Sequence, residues 1–227
     1  MKEYDAVLSL GNGIRAGAIH DGHDRAQMAE MIANCELAEL GREMGCQTMA
    51  EGPGHVPLDE IAANILLEKR MGGGAPHYVP GPLPADCGAG CGQVAAAIGA
   101  ASSVGHGADL VCCIAPAGHL APPSEADVRE GVRATRLAVH VGDLAKYPER
   151  RDRGRAVSPA RRDTRWEYQM SGLLFPDKAR EIRGRRTPEN ERTCTMCGDF
   201  CAMERGHSLF ADDIRGDKVN EAAASAG

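Results

Sequence analysis

The fold is decided by residues 46–71, "CQTMAEGPGHVPLDEIAANILLEKRM". A short β-type run (46–50) ends at a loop with two glycines and two prolines. A helix follows, with Leu58, Ile61, Ile65 and Leu66 on one face. Asp59 and Glu60 fall in its first turn, where they complement the helix dipole. Strand, rigid loop and helix make one βα unit, and the same order recurs on both sides. Upstream, "DAVLSL" (5–10) enters the glycine-rich turn "GNGIRAG" and then a helix over 25–44. Met28, Met31, Ile32, Cys35 and Leu40 recur along that helix at spacings near three and four. Downstream, "HYVPGPL" (77–83) leads through "PADCGAGCG" into a small-residue helix over 94–101. "ADLVCCIA" (108–115) then leads through "PAGHLAPP" into a helix that Ser124 and Asp127 open in the manner of a capping box. Four such units in series predict an α/β protein with a parallel sheet.

In parallel sheets the loops at the carboxyl ends of the strands carry the chemistry. Those loops hold Asn12, Arg15, Glu51, His55, Tyr78, Asp86 and His119, whereas the opposite loops "GREMG", "KRMGGGAP" and "SSVGHG" hold little of that kind. A lone histidine is usually a satisfied polar residue. His55 and His119 occupy matching βα loops, however, and imidazoles placed so can converge on one ion and leave positions open for water or substrate. Arg15 offers a planar fork for a phosphate or carboxylate. "GNGIRAG" lacks the fuller glycine fingerprint of dinucleotide sites and the lysine of a Walker loop, so by pattern alone a plain turn is the favoured reading of that stretch and a phosphate loop the weaker one. Four units are half of an eight-unit barrel, and a half-barrel exposes two strand edges and half a core.

Composition narrows the function classes. Hydrophobic content of 43% and charged content of 26% are those of a globular protein, while 4% aromatics and 28 glycines favour polar recognition over aromatic stacking. A net charge of -6 argues against general nucleic-acid binding, and the arginine-rich stretch ahead of Trp166 reads as a solvated helix face and loop. No apolar run reaches the length of a membrane span and the amino terminus lacks a signal layout, so the expectation is a cytoplasmic protein without a membrane partner. Nine cysteines is an odd number, and Cys87, Cys91, Cys112 and Cys113 sit in apolar or glycine-rich surroundings. They read as free thiols alongside a metal site, not as a disulfide framework.

Residues 1–140 therefore form the partial barrel. From Val141 the alternation stops, and 141–190 read as a helical appendage of helix, linker, helix and a short turn at "FPDKA". The last part, 191–227, carries "TCTMCGDFCAM" and a tail whose small polar residues predict disorder at its end. Cys194, Cys197 and Cys201 form C-x2-C-x3-C, three thiols where a closed zinc or iron–sulfur site wants four ligands. The spacing admits a zinc site completed from elsewhere, with His207 as a candidate, a redox dithiol, or a cluster with one open iron. An open iron has a natural occupant in the amino and carboxylate groups of S-adenosylmethionine.

Together "SLGNGIRAG", "EGPGHVPLDEI", "YVPGPLPAD", "AAAIGAA", the His119 loop, "DLAK", "RWEYQ" and "CTMCGDFCAM" resemble, in order, the phosphomethylpyrimidine synthase (ThiC) family of thiamine biosynthesis. The resemblance implies the carboxyl-terminal half of a (β/α)8 barrel with a helical appendage bearing a [4Fe–4S] cluster. The implied activity is a radical S-adenosylmethionine lyase that converts 5-aminoimidazole ribonucleotide to 4-amino-5-hydroxymethyl-2-methylpyrimidine phosphate, with an electron donor for the cluster. It further implies that Asn12, Gly13, Ile14, Arg15, Glu51 and Tyr78 bind the ribonucleotide, that His55 and His119 hold a zinc or iron ion, and that Cys194, Cys197 and Cys201 hold the cluster. No residue receives a catalytic role. A relative, 5-hydroxybenzimidazole synthase, uses the same substrate and radical chemistry for a cobamide base precursor, and it is the alternative activity. A catalytically silent metal-binding fragment is the other. Many family members carry four residues between the last two cysteines, where this chain has three. The family's amino-terminal barrel half, with a Ser-Arg-Gly turn, has no counterpart in the chain. The expectation is a fragment or split subunit that pairs with that half or forms a homo-oligomer.

Overall fold

The computed structural model describes residues 1–186 and 189–209, in two compact units: Met1–Arg150, and a second from Arg151 onward. In the first unit β1 (Val7–Leu10), β2 (Gln47–Glu51), β3 (His77–Val79) and β4 (Leu110–Val111) form one parallel sheet in chain order. The four expected strands are present: β1, β3 and β4 are shorter than their apolar runs, and β2 lies one residue later than its run. In "HYVPGPL" the strand stops at Val79 because Pro80 has no N–H to donate to a ladder. Pairing continues through the loops beyond the strands. His55 N donates to Ala16 O at 2.9 Å, Leu83 N to Gly54 O at 2.8 Å, and Cys112 N to Val79 O at 2.8 Å.

The register aligns Leu10 with Ala50, Ala50 with His77, and Glu51 with Tyr78 and Leu110. Because side chains alternate, Thr48, Ala50, His77 and Val79 share one face, and Met49, Glu51, Tyr78 and Leu110 the other. The first face is buried under helices, around a core of Val56, Ile61, Ile65, Val79 and Ala108. The second is open, with Val7 46% and Leu110 47% exposed at its two edges.

The covering helices are α1 (Arg25–Glu43), α2 (Ile61–Met71), α3 (Gly92–His106) and α4 (Glu125–Lys146). Asp24 caps α1 by accepting from Gln27 N at 2.7 Å, and Ser124 with Asp127 forms the capping box of α4. Two expected faces change. In α2, Ile61 and Ile65 are buried, but Leu58 precedes the helix and is exposed, as is Leu66; Asn64 and Glu68 complete the inner stripe. In α1, Met31 and Cys35 are buried, whereas Ile32 and Leu40 are exposed and Gln27, Asn34, Ala38 and Gly41 point inward. Close approach selects this face: a Cβ on Gly41 would lie 2.6 Å from the Thr48 methyl of β2. Similarly, α3 runs longer than 94–101 and lies directly on the loop after β3, so that a Cβ on Gly99 would overlap the Pro82 carbonyl.

Helix α4 passes through position 141, where the sequence alternation stops, and ends at Lys146. Its last turn is held by Lys146 Nζ, which donates to Ala108 O at 3.1 Å and meets Asp109 Oδ1 at 3.0 Å. In the core, Glu68 Oε1 of α2 lies 2.6 Å from His77 Nδ1 of β3, both almost fully buried.

The second unit contains α5 (Asp152–Arg162), α6 (Trp166–Gly172), α7 (Pro176–Gly184) and α8 (Ala202–Leu209). "FPDKA", expected as a turn, starts α7, because Pro176 occupies the first helical position, where its missing N–H costs nothing. The arginine-rich stretch is largely exposed helix, with Ala160 and Thr164 buried. The tail beyond residue 209, read as disordered from sequence, lies outside the described residues. Among the described residues no helix is long and apolar enough to cross a membrane, and all nine cysteines are free.

Two stability predictions follow from these contacts. Gly99→Ala must push α3 off Pro82 and lowers the unfolding free energy by about 2–3 kcal/mol, the usual cost of overpacking, measured by urea denaturation. Burial raises the Glu68 carboxyl above its ordinary range, so the folded chain binds that proton more tightly than the unfolded one. This contribution is full below the ordinary carboxylate value and is lost as pH rises through the raised one. Glu68→Gln, with no charge to bury, therefore gains on the parent as pH rises, whereas Glu68→Ala strands His77 and loses about 3 kcal/mol at pH 7.

Candidate functional site

The open face of the sheet ends in polar residues. Glu51, the last residue of β2, meets the Arg15 guanidinium and accepts from Asn12 N at 2.9 Å. Asn12 Nδ2 donates to Gly52 O at 2.9 Å, and its Oδ1 accepts from Asn34 of α1 at 2.7 Å. Glu30, one turn before Asn34, accepts from Gly13 N at 2.6 Å and from Ile14 N at 2.9 Å. The "GNGIRAG" loop is therefore fixed by two residues of α1, Glu30 and Asn34, four apart on one helix face. A carboxylate already fills the place that an anion would take on its amides. Ile14 points its side chain outward, 58% exposed.

Tyr78 lies beside Glu51 in register and forms a side-chain hydrogen bond with Cys112, just past β4. Burial first, and then that bond, push the phenol up to about 12, so it stays a proton donor at neutral pH. Arg15, His55, Tyr78, Leu83, Cys112 and His119 line a cavity of about 420 Å³. An adjoining cavity of about 280 Å³ shares His55 and His119 and adds Asp86.

The two imidazoles meet with ring centroids 5.3 Å apart. His55 Nδ1 is 2.7 Å from Asp86 Oδ1, which leaves its Nε2 free. Asp86 is anchored in turn by Ile19 N at 2.8 Å, and that bond, ahead of His55, holds its carboxyl below the ordinary range. His119 sits at φ 64°, a left-handed conformation that histidine rarely adopts, so its backbone is held out of its preferred region to put the ring there. A carboxylate behind one of two convergent imidazoles is the donor chemistry of a transition-metal site, since it fixes the tautomer and strengthens the ligand.

The second unit carries the thiols. Cys194 opens a turn in which Gly198 N donates to Cys194 O at 3.0 Å, and Gly198, at φ 50°, takes the chain round toward Cys201. Cys201 is buried and Cys197 exposed. The backbone N–H groups of Cys197 and Met196 hold the Cys194 thiol below its usual range, a bias toward the thiolate that metals bind. Three soft donors on one short turn suit an iron–sulfur cluster with an open position. Among the described residues, no three His, Cys, Asp or Glu side chains form a ready metal cage. The side chain of His207, the candidate fourth ligand, lies outside the described residues.

The sequence reading missed Glu30 and Asn34 as holders of the β1 loop, and Cys112 as the partner of Tyr78. The signal was polar residues three and four apart in α1, where an apolar stripe drew attention instead.

A parallel sheet with polar side chains gathered at its carboxyl end, in the same chain as a turn that carries three thiols, defines the class: an α/β protein. Residues 1–208 match the radical SAM ThiC family, and the chain belongs to it. It is 71% identical over 219 residues to a 5-hydroxybenzimidazole synthase of Desulforapulum autotrophicum, covering 96% of this chain and 50% of the relative. A 5-hydroxybenzimidazole synthase of Geobacter sulfurreducens is 61% identical, with 96% and 51% covered. A phosphomethylpyrimidine synthase of Methanospirillum hungatei is 49% identical over 210 residues, with 92% and 49% covered. The chain spans about half the length of the curated relatives it matches.

Glu30→Ala frees the amides of Gly13 and Ile14, and their hydrogen exchange accelerates at least about tenfold, as expected when charge-assisted bonds to a partly exposed loop are lost. Exchange over α3 and α4 stays at the parent rate.

Proposed function

We propose that this chain supplies four βα units and the cluster turn of a 5-hydroxybenzimidazole synthase acting on 5-aminoimidazole ribonucleotide. One observation carries the choice of product. Four relatives bearing that name are 57–71% identical to this chain, while four named phosphomethylpyrimidine synthase stand at 48–49%. The motifs alone had placed the pyrimidine product first; the identities reverse the order. The open sheet face supports a (β/α)8 barrel in which four further units, from another chain or another segment, cover Val7, Met49 and Leu110. The nine free thiols favour a reducing, cytoplasmic setting.

In this reading Asn12, Gly13, Ile14 and Arg15 form one wall of the ribonucleotide site and Glu51 and Tyr78 another. Arg15, tethered to Glu51 but half exposed, turns its remaining N–H groups to an anionic group of the substrate. Glu51 accepts from hydroxyl or amino groups, and Tyr78 donates its phenolic O–H, which does not ionise at neutral pH. Asn12 is oriented by Asn34, so its amide presents a fixed face. His55 and His119 hold a zinc or iron ion, with Asp86 steadying His55. Cys194, Cys197 and Cys201 hold the [4Fe–4S] cluster, which draws on an electron donor. When bound, the cluster with S-adenosylmethionine supplies one-electron cleavage of the sulfonium to a 5′-deoxyadenosyl radical.

The test incubates the chain, together with the other half of the Desulforapulum relative, with 5-aminoimidazole ribonucleotide, S-adenosylmethionine and a reductant under anaerobic conditions. The expected product is 5-hydroxybenzimidazole. The pyrimidine phosphate would reverse the assignment, and neither product would leave a silent metal-binding chain. Cys197→Ala abolishes 5′-deoxyadenosine formation. Asp86→Asn lowers affinity for the histidine-bound ion by about 10–100-fold, the usual weight of a carboxylate behind a ligating histidine, and leaves iron at the cysteines unchanged.

A further inference from the structure

The three peptide units immediately before Cys194 are held by side chains from two helices. Trp166 of α6 donates Nε1–H to Arg192 O at 3.1 Å. Arg183 of α7 donates from Nη2 to Glu191 O at 3.0 Å and from Nη1 to Thr193 O at 3.3 Å. The guanidinium lies 3.7 Å from the centre of the Trp166 ring, stacked on the indole that bonds the carbonyl between its own two. Three consecutive carbonyls, 191, 192 and 193, thus meet one stacked pair of side chains.

This arrangement is more than packing. Two guanidinium N–H groups in a fixed fork set the planes of two peptides, and the indole sets the third, so the direction in which the chain enters Cys194 is determined. Stacking on the ring fixes the plane of the fork. Thr193 is buried and its N–H and hydroxyl both donate to Asn190 O, which closes the turn behind the clamp. On the far side of the cysteines, Glu204 of α8 meets Arg192 Nε at 3.4 Å and Thr164 Oγ1 at 3.4 Å. The thiol turn is framed from both ends by groups that are not themselves metal ligands.

We propose that Trp166 and Arg183 are positioning residues for the cluster, a clamp that presets the entry of the chain to Cys194 before iron arrives. The proposal rests on the cluster reading of Cys194, Cys197 and Cys201. Lysine does not replace arginine in it: an ammonium is a point charge without the planar fork that sets two peptides at once, and it does not stack on the indole in a plane. Phenylalanine at 166 keeps the ring and frees only the Arg192 carbonyl.

Amide hydrogen exchange of the metal-free chain, followed by anaerobic reconstitution with iron and sulfide, tests it. Arg183→Ala and Arg183→Lys speed exchange over 191–201 by at least about tenfold, for the loss of two charge-assisted bonds, while α1 to α4 keep parent rates. Iron bound per chain falls severalfold, and the electron paramagnetic resonance of the reduced remainder broadens. Trp166→Phe gives a smaller change of the same sign in each readout. Parent exchange over 191–201 in folded Arg183→Ala, or in Trp166→Phe should the arginine variants not fold, overturns the clamp. So does full iron uptake by both variants. A parent chain that takes up no iron instead sinks the cluster reading, and exchange on the metal-free chain still decides the clamp.

Discussion

The carboxylate of Glu51 is where the first unit's sheet becomes a site. It ends β2, and its two oxygens meet the amide of Asn12 and the guanidinium of Arg15. That one group makes the loop after β1 depend on the strand beside it. Because Tyr78 lies next to Glu51 in register, the same anchor aligns the loop with the third strand. Parallel pairing is therefore not simply the scaffold beneath the site. The ladder is carried upward, from strand to loop, by His55 on Ala16 and Leu83 on Gly54, so His55 is placed by main-chain bonds before its ring meets Asp86. A site built this way moves with its sheet.

Much of this was legible in the chain. A βα order repeated four times, ended by glycine and proline, leaves few alternatives to a parallel sheet, and the polar loops all fall at one end of it. The capping box of Ser124 and Asp127 was readable because it is local. What the sequence hid was non-local. Whether Leu66 or Asn64 of α2 turns inward depends on what packs above it, and the answer is set by Ile61 and Ile65 meeting β3. The inward face of α1 is chosen by how near Gly41 can come to Thr48, a distance no periodicity contains. Glu30 was invisible for a related reason, since an exposed-looking acid at mid-helix has a purpose only once the loop opposite is folded.

The second unit shows another kind of economy. Its helices are short, polar and largely exposed, and hydrophobic burial contributes little order to them. Order comes from directional contacts of arginine, tryptophan and backbone carbonyls. Such contacts rigidify a small region without a large core, and each is individually replaceable only at the cost of an orphaned acceptor. The stacked pair of Trp166 and Arg183 has this character.

The two edges of the four-stranded sheet are unequal. The edge strand β1 is four residues long and the edge strand β4 only two. Lys146 and Asp109 form an ion pair beside the shorter edge, and a charged edge discourages casual pairing. The longer edge at β1, which lacks that ion pair, is the one where a further strand, from whatever source, meets the less guarded backbone.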